Sequence, residues 1–153
     1  ALGRFAHEGV VFAPAVIGQP VVCYSGDDSR FEYIYRFVSA APLAEGTRGD
    51  ILDSGTLYVA KFNEDGTGEW LPLVAGQNGL TPENGFADQA DVLVNTRLAA
   101  DFVGATKMDR PEWGAVDPTT GDVYFTLTNN TNRTLLQVDA ANPRAENAFG
   151  QIV

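Results

Sequence analysis

The chain has 153 residues, 44 % of them hydrophobic, with 10 Lys plus Arg against 20 Asp plus Glu and a net charge of −10. That composition affords one modest domain with a true core. It argues against a nucleic-acid binder, which needs a basic footprint, and no apolar run is long enough to span a bilayer or is ordered like a signal peptide. The single cysteine, Cys23, has no disulfide partner and no nearby Cys or His for zinc, and reads as a small buried apolar residue. The chain begins at Ala1 and ends within an apolar run at Val153, so a fragment of a longer protein is expected.

Short strands separated by Gly, Asn, Asp and Pro turns dominate the pattern. "EGVVF" (8–12) is a short apolar strand, and "VVCYSGDD" (21–28) follows after the "GQP" break. "RFEYIYRFVS" (30–39) alternates, with Phe31, Tyr33, Tyr35 and Phe37 on one face and Glu32, Ile34, Arg36 and Val38 on the other. Such residues suit a pleated, half-buried surface. "TLYVAKF" (56–62) and "EWLPL" (69–73) form a hairpin across "NEDGTG", where Asp65-Gly66 supplies the turn.

One stretch breaks the rule. Val94, Leu98 and Phe102 recur at i, i+4 and i+8, and predict an amphipathic helix inserted at 88–103. Asp88 is its expected N-cap and Gly104 its stop. Beyond it, "PEWGAVD", a "PTTG" turn, "DVYFTLTNN" and "TLLQVDA" read as three further strands.

The two ends of the chain resemble each other. "HEGVVF", "VVCYSGDD" and "FEYIYRFV" match "PEWGAVD", "DVYFTLTNN" and "TLLQVD" in order, each unit led by a Glu. A module of several strands repeated in this way suggests a β-propeller, whose blades run to roughly 40–50 residues and number about 4–8 per ring. The chain then covers only part of a ring as a piece of one propeller domain. A β-sandwich is the runner-up.

If the repeat holds, Glu8 and Glu112 occupy equivalent places at one mouth of the channel. Converging carboxylates repel unless a cation lies between them, and a hard cation such as calcium takes oxygen ligands. Solvated rim carboxylates are the simpler alternative. Pro111 is expected to hold Arg110 extended, so that Arg110 and Glu112 point the same way. A guanidinium beside a metal site suits phosphate recognition, although a plain Arg110–Glu112 surface pair is also open. His7, the only histidine, reads as packing, and Asp27 and Asp28 in "SGDDSR" read as a turn.

"GRFAHEGVVF", "YSGDDSRFEYIYRFVS", "GTLYVAKFNEDGTGEWLPL", "FADQADVLVNTRLAADFVGATKMDRPEW" and "VDPTTGDVYFTLTNN" together resemble the PhoX family of bacterial alkaline phosphatases. The resemblance implies a six-bladed β-propeller, a cluster of calcium and iron ions in its channel, and export to the periplasm or beyond. It implies hydrolysis of phosphate monoesters for phosphorus acquisition, with a metal-bound oxygen as nucleophile. Glu8 and Glu112 resemble the family's metal-ligand glutamates, and Arg110 its substrate-binding, catalytic arginine. Cys23 does not match the context of the family's iron-ligating cysteine. Small phosphate esters are the expected partners, without nucleic acid or membrane, and the protein is expected to be a monomer. This stretch alone is expected to be inactive. Two rival readings are a non-catalytic extracellular propeller that binds a partner, and a calcium-dependent propeller lactonase, neither of which needs a phosphate-clamping arginine.

Overall fold

A computed structural model describes residues 1–153, and its eight strands form two antiparallel sheets. In the first, β1 (His7–Phe12), β2 (Pro20–Asp27), β3 (Ile34–Pro42), β4 (Gly55–Phe62) and β5 (Gly68–Pro72) lie in chain order. In the second, β6 (Pro111–Val116), β7 (Val123–Leu127) and β8 (Gln151–Ile152) do the same. Neither sheet closes on itself. The all-β expectation therefore holds at the level of two open sheets with a small helical insertion. No helix is long and apolar enough to cross a membrane.

The alternation along β3 explains how the sheets are stacked. Tyr33, Tyr35 and Phe37 join Leu57, Val59, Leu73 and the helical residues Val92, Ala99 and Ala100 in one core. Ile34 points the other way and joins Tyr24, Ala60, Met108, Phe125 and Leu127 in a second core, shared with the second sheet. The first sheet is thus covered on both faces. Each large apolar side chain buried there contributes about 1.5–3 kcal/mol, so β3 anchors both layers. The hairpin between β4 and β5 forms where Asp65-Gly66 places it. Gly66 takes φ +85°, and Asp65 Oδ1 accepts from Thr67 N at 2.9 Å.

Several expectations need correction. Phe31 leaves the face expected for it: it precedes β3, has φ +67° and packs against the Arg133 guanidinium, 5.2 Å from its ring. The single helix is two, α1 (Gln89–Val94) and α2 (Thr96–Phe102), broken at Asn95. Asp88 caps α1 by accepting from Asp91 N at 2.9 Å, and Gly104 follows α2 at φ +76°, as expected. The apolar stripe, however, faces outward: Val94, Leu98 and Phe102 are 46–61 % exposed. The small face of Thr96, Ala99 and Ala100 turns inward instead, because small side chains let the helix backbone approach the sheet closely. Thr96 Oγ1 accepts from Arg4 N at 3.0 Å and donates to Leu93 O at 2.6 Å, stitching the break to the N-terminal segment.

"TLLQVDA" is not a strand. It holds a 3-10 turn, Leu135–Gln137, with Leu135 and Leu136 turned to solvent. The third strand, paired with the other edge of β7, is β8, through Thr126↔Ile152 and Leu127↔Gln151. The cause is Arg133, 2 % exposed, which donates to Asp109 Oδ1 at 2.7 Å and Lys107 O at 2.6 Å. That buried guanidinium ties the segment to the approach of β6 and keeps it off the β7 edge. The backbone of Arg110 also departs from the extended form expected of it, with φ +56°.

Candidate active site

The internal repeat becomes concrete in the strand registers. In the first sheet His7 pairs with Asp27 and Val10 with Ser25, so Glu8 and Gly9 span one residue too many. In the second, Pro111 pairs with Leu127 and Gly114 with Phe125, so Glu112 and Trp113 do likewise. Both sheets carry a β-bulge at the same place in their first strand, and in both the bulge holds the glutamate. Bulges bend a strand and re-aim a side chain, and they concentrate beside active sites.

The two bulged strands lie side by side. β1 packs on β6, and β2 packs on β6 as well. A Cβ at Gly9 would stand 3.3 Å from the Trp113 ring. At Gly26 it would stand 2.6 Å from Pro111 O and 2.8 Å from Glu112 O. Only a residue without a side chain lets the end of β2 pass this close to the backbone that carries Glu112.

Arg110, Glu112 and Asp28 come together at this junction. Arg110 Nε lies 3.0 Å from Asp28 Oδ1, and Arg110 Nη2 donates to Asp28 Oδ2 at 3.1 Å. Arg110 Nη2 is also 3.5 Å from Glu112 Oε1. Glu112 Oε1 accepts a short hydrogen bond from Thr128 Oγ1. All three charged side chains are 19–29 % exposed, reachable by solvent but fixed in place. Arg110 is not extended: its φ is +56°. The ring of Pro111 disfavours the right-handed helical region for Arg110 but leaves the left-handed one open. A side chain there costs on the order of 1–3 kcal/mol and persists only when its surroundings over-determine it. The Asp28 contacts and a hydrogen bond from Thr128 N to Arg110 O at 3.2 Å do so here. Arg110 and Glu112 point the same way after all, by a route other than an extended backbone.

Glu8 stands apart. It is exposed on β1 and joins none of the chain's ion pairs. His7 packs as expected: its ring stacks on Phe5 at 3.6 Å, and Nδ1 and Nε2 lie 3.0 Å from Ser25 Oγ and Gly3 O. Cys23 is 2 % exposed in the apolar core, and burial pushes its thiol up to about 11. Its neighbours are apolar core residues, in keeping with a packing role. No group of three or more His, Cys, Asp or Glu side chains is gathered to hold an ion. Glu8 and Glu112 match the oxygen-donor chemistry of a hard cation, and by number they fill only a minority of a calcium sphere of about 6–8 oxygens.

Asp27, read from sequence as part of a turn, is a buried latch. It is 0 % exposed and receives Arg97 Nε on Oδ2 at 2.7 Å, Arg97 Nη2 on Oδ1 at 2.6 Å, and Ala6 N at 3.2 Å. Asp28 N donates to Ala6 O at 3.1 Å. Arg97 reaches in from α2, so the helical insertion helps to pin the end of β2. Glu32 lies 3.5 Å from Arg97, and burial pushes its carboxyl up to about 7 despite the opposing pull of the guanidinium. Sequence reasoning missed the pairing of Asp28 with Arg110. The registers hold the signal: Asp27 and Asp28 correspond to Leu127 and Thr128, and Thr128 is the residue that grips Glu112.

Fold and site together define an all-β protein that presents arginine and carboxylate groups from bulged strands where two sheets meet. The family model for alkaline phosphatase PhoX matches residues 1–153, and the chain belongs to that family. Among solved structures it is similar to Pseudomonas fluorescens PhoX in complex with vanadate, a transition state analogue, at 48 % identity and a TM-score of 0.91. That match covers 99 % of this chain and 28 % of the other, so the chain spans little over a quarter of the relative's length. No curated protein matches it significantly.

Proposed function

We propose that this chain is part of a six-bladed β-propeller alkaline phosphatase that hydrolyses phosphate monoesters, and that Arg110 clamps the phosphoryl group. The observation that carries the proposal is the cluster at the β6 bulge: a half-buried guanidinium in a strained backbone conformation, flanked by carboxylates. A plain surface ion pair would not need that strain. Family membership and a vanadate-binding relative at 48 % identity support a phosphoryl-transfer site. The equivalent bulges of the two sheets support propeller blades.

In this reading each residue has a task. Arg110 meets equatorial phosphoryl oxygens, where its planar, permanently charged group can form paired hydrogen bonds. Such preorganised charge acts where negative charge gathers during ester cleavage. Glu112, oriented by Thr128, and Glu8, carried on the neighbouring bulge, are oxygen donors for calcium, in an ion set that also includes iron. Bound there with ligands from other parts of the protein, the ions would supply Lewis-acid charge at the phosphoryl oxygens. The substrates are small phosphate esters, met by a monomer in the periplasm or outside the cell, in the service of phosphorus acquisition. A partner-binding propeller or a lactonase would leave Arg110 without a task.

The test is turnover of an aryl phosphate at alkaline pH by the intact protein, with calcium and with a chelator. Turnover is expected to depend on calcium and to be inhibited by phosphate. Glu112→Gln should abolish it while the unfolding midpoint stays near the native one. Arg110→Lys should lower kcat/KM by roughly 100-fold, since a point charge cannot replace the fork. Wild-type activity in either variant would remove that residue from the site. Turnover of a lactone that is indifferent to phosphate would replace the phosphatase reading.

A further inference from the structure

Arg110 is gripped along one edge only. Its Nε and Nη2 face Asp28, at 3.0 Å from Oδ1 and 3.1 Å from Oδ2, and Nη2 also faces Glu112 at 3.5 Å. Nη2 makes the hydrogen bond of this pair, Nε meets Asp28 Oδ1 as a charge contact only, leaving that buried oxygen without a hydrogen bond, and Nη1 makes neither contact. Asp28 is itself immobilised. Its backbone N–H is bonded to Ala6 O, and the preceding residue is the buried Asp27 clamped by Arg97. Resting on the assignment of Arg110 to phosphate, we infer that Asp28 is a positioning residue of the phosphatase: it fixes the Nε–Nη2 edge of Arg110 and aims the Nη1 end at the phosphoryl group.

Two effects of Asp28 oppose each other. Its negative charge partly offsets the charge of Arg110, which weakens attraction for any phosphate. Its grip removes the freedom of a long side chain, which otherwise carries about 2 kcal/mol of rotamer entropy. Attraction for phosphate acts on the bound ester and the transition state alike, whereas aim matters most where reacting atoms must be aligned. Loss of Asp28 should therefore fall on kcat and leave KM unchanged or lower. A residue that merely supported the fold would not produce that split.

The experiment is steady-state hydrolysis of an aryl phosphate by the intact, metal-loaded protein, for wild type, Asp28→Asn, Arg110→Ala and the double variant. Metal content and the urea midpoint are measured on each. Asp28→Asn should lower kcat by roughly 10- to 100-fold, the range for losing a hydrogen bond to a charged group. Its KM should not rise, its metal content should match wild type, and the double variant should be no worse than Arg110→Ala. Native kcat in Asp28→Asn beside a crippled Arg110→Ala would overturn the role of Asp28 and leave that of Arg110 standing. Full activity in Arg110→Ala would overturn the phosphate assignment itself. A double variant worse than Arg110→Ala by the whole Asp28→Asn factor would show that Asp28 acts independently, and loss of metal from Asp28→Asn would make it a ligand; either overturns the inference. Should Asp28→Asn fail to fold, Asp28→Glu carries the same test. It keeps the charge and shifts the grip by one methylene, so native kcat there overturns the positioning role.

Discussion

Replacing Glu32 with Gln should stabilise the protein at alkaline pH and do little at acid pH. The Glu32 side chain is 21 % exposed and lies 3.5 Å from Arg97. Burial raises its carboxyl from 4.5 to about 7, while Arg97 pulls the other way and Asp27 and Asp101 add to the rise. A carboxyl that protonates more readily in the folded state contributes stability below its unfolded pKa. That stability is lost as pH rises from about 4.5 through about 7. At 1.36 kcal/mol per tenfold change, the full loss is about 3 kcal/mol. Somewhat under half of it is already gone at pH 5.5, so about 2 kcal/mol more disappears by pH 8.5. Gln has nearly the same shape and no charge to desolvate. Urea unfolding of the intact protein, followed by tryptophan fluorescence at pH 5.5 and 8.5, measures the difference. The gain of Glu32→Gln over wild type should grow by about 2 kcal/mol between those two pH values. A variant less stable than wild type at pH 8.5 would refute the reasoning, because the pairing with Arg97 would then outweigh the cost of burial.

Two further perturbations probe the frame beneath the site. Arg97→Met strands the Asp27 carboxylate in a fully buried position. Breaking a buried pair costs about 3–5 kcal/mol, and since Arg97 is 40 % exposed water will recover part of this, leaving a loss of about 2–3 kcal/mol in urea unfolding. An unchanged midpoint would mean that Asp27 is adequately held by Ala6 N alone. Gly26→Ala forces a methyl against the carbonyls of Pro111 and Glu112, which are backbone and cannot swing aside. It should cost about 1–3 kcal/mol and depress the proposed phosphatase turnover of the intact protein by displacing Glu112; native turnover would show that the two strands can part without disturbing the carboxylate.

What the sequence alone determined is local. Alternation from Tyr33 to Val38 set the two faces of β3, Asp65-Gly66 set a hairpin, and Asp88 set a helix start, because each depends on residues within a few positions of one another. Self-similarity went one step further and put Glu8 and Glu112 at equivalent places, each in the bulge of its sheet's first strand, although the third strands of the two units differ. The tertiary structure decided what lies between distant residues. Val94, Leu98 and Phe102 have the right spacing for a core stripe, yet the smaller Ala99 and Ala100 won the sheet because they allow closer approach. Leu135 and Leu136 lie in a short apolar run that reads as a strand, yet the buried Arg133 holds their segment away from the edge. The left-handed turn at Arg110 is unreadable from "RPE", because its cause is Asp28, 82 residues away in the chain. Asp28 is in turn pinned through Asp27 by Arg97, 70 residues further on from that latch. Ion pairs of this kind are set by which strands the fold lays side by side, and no local pattern in the chain records that choice.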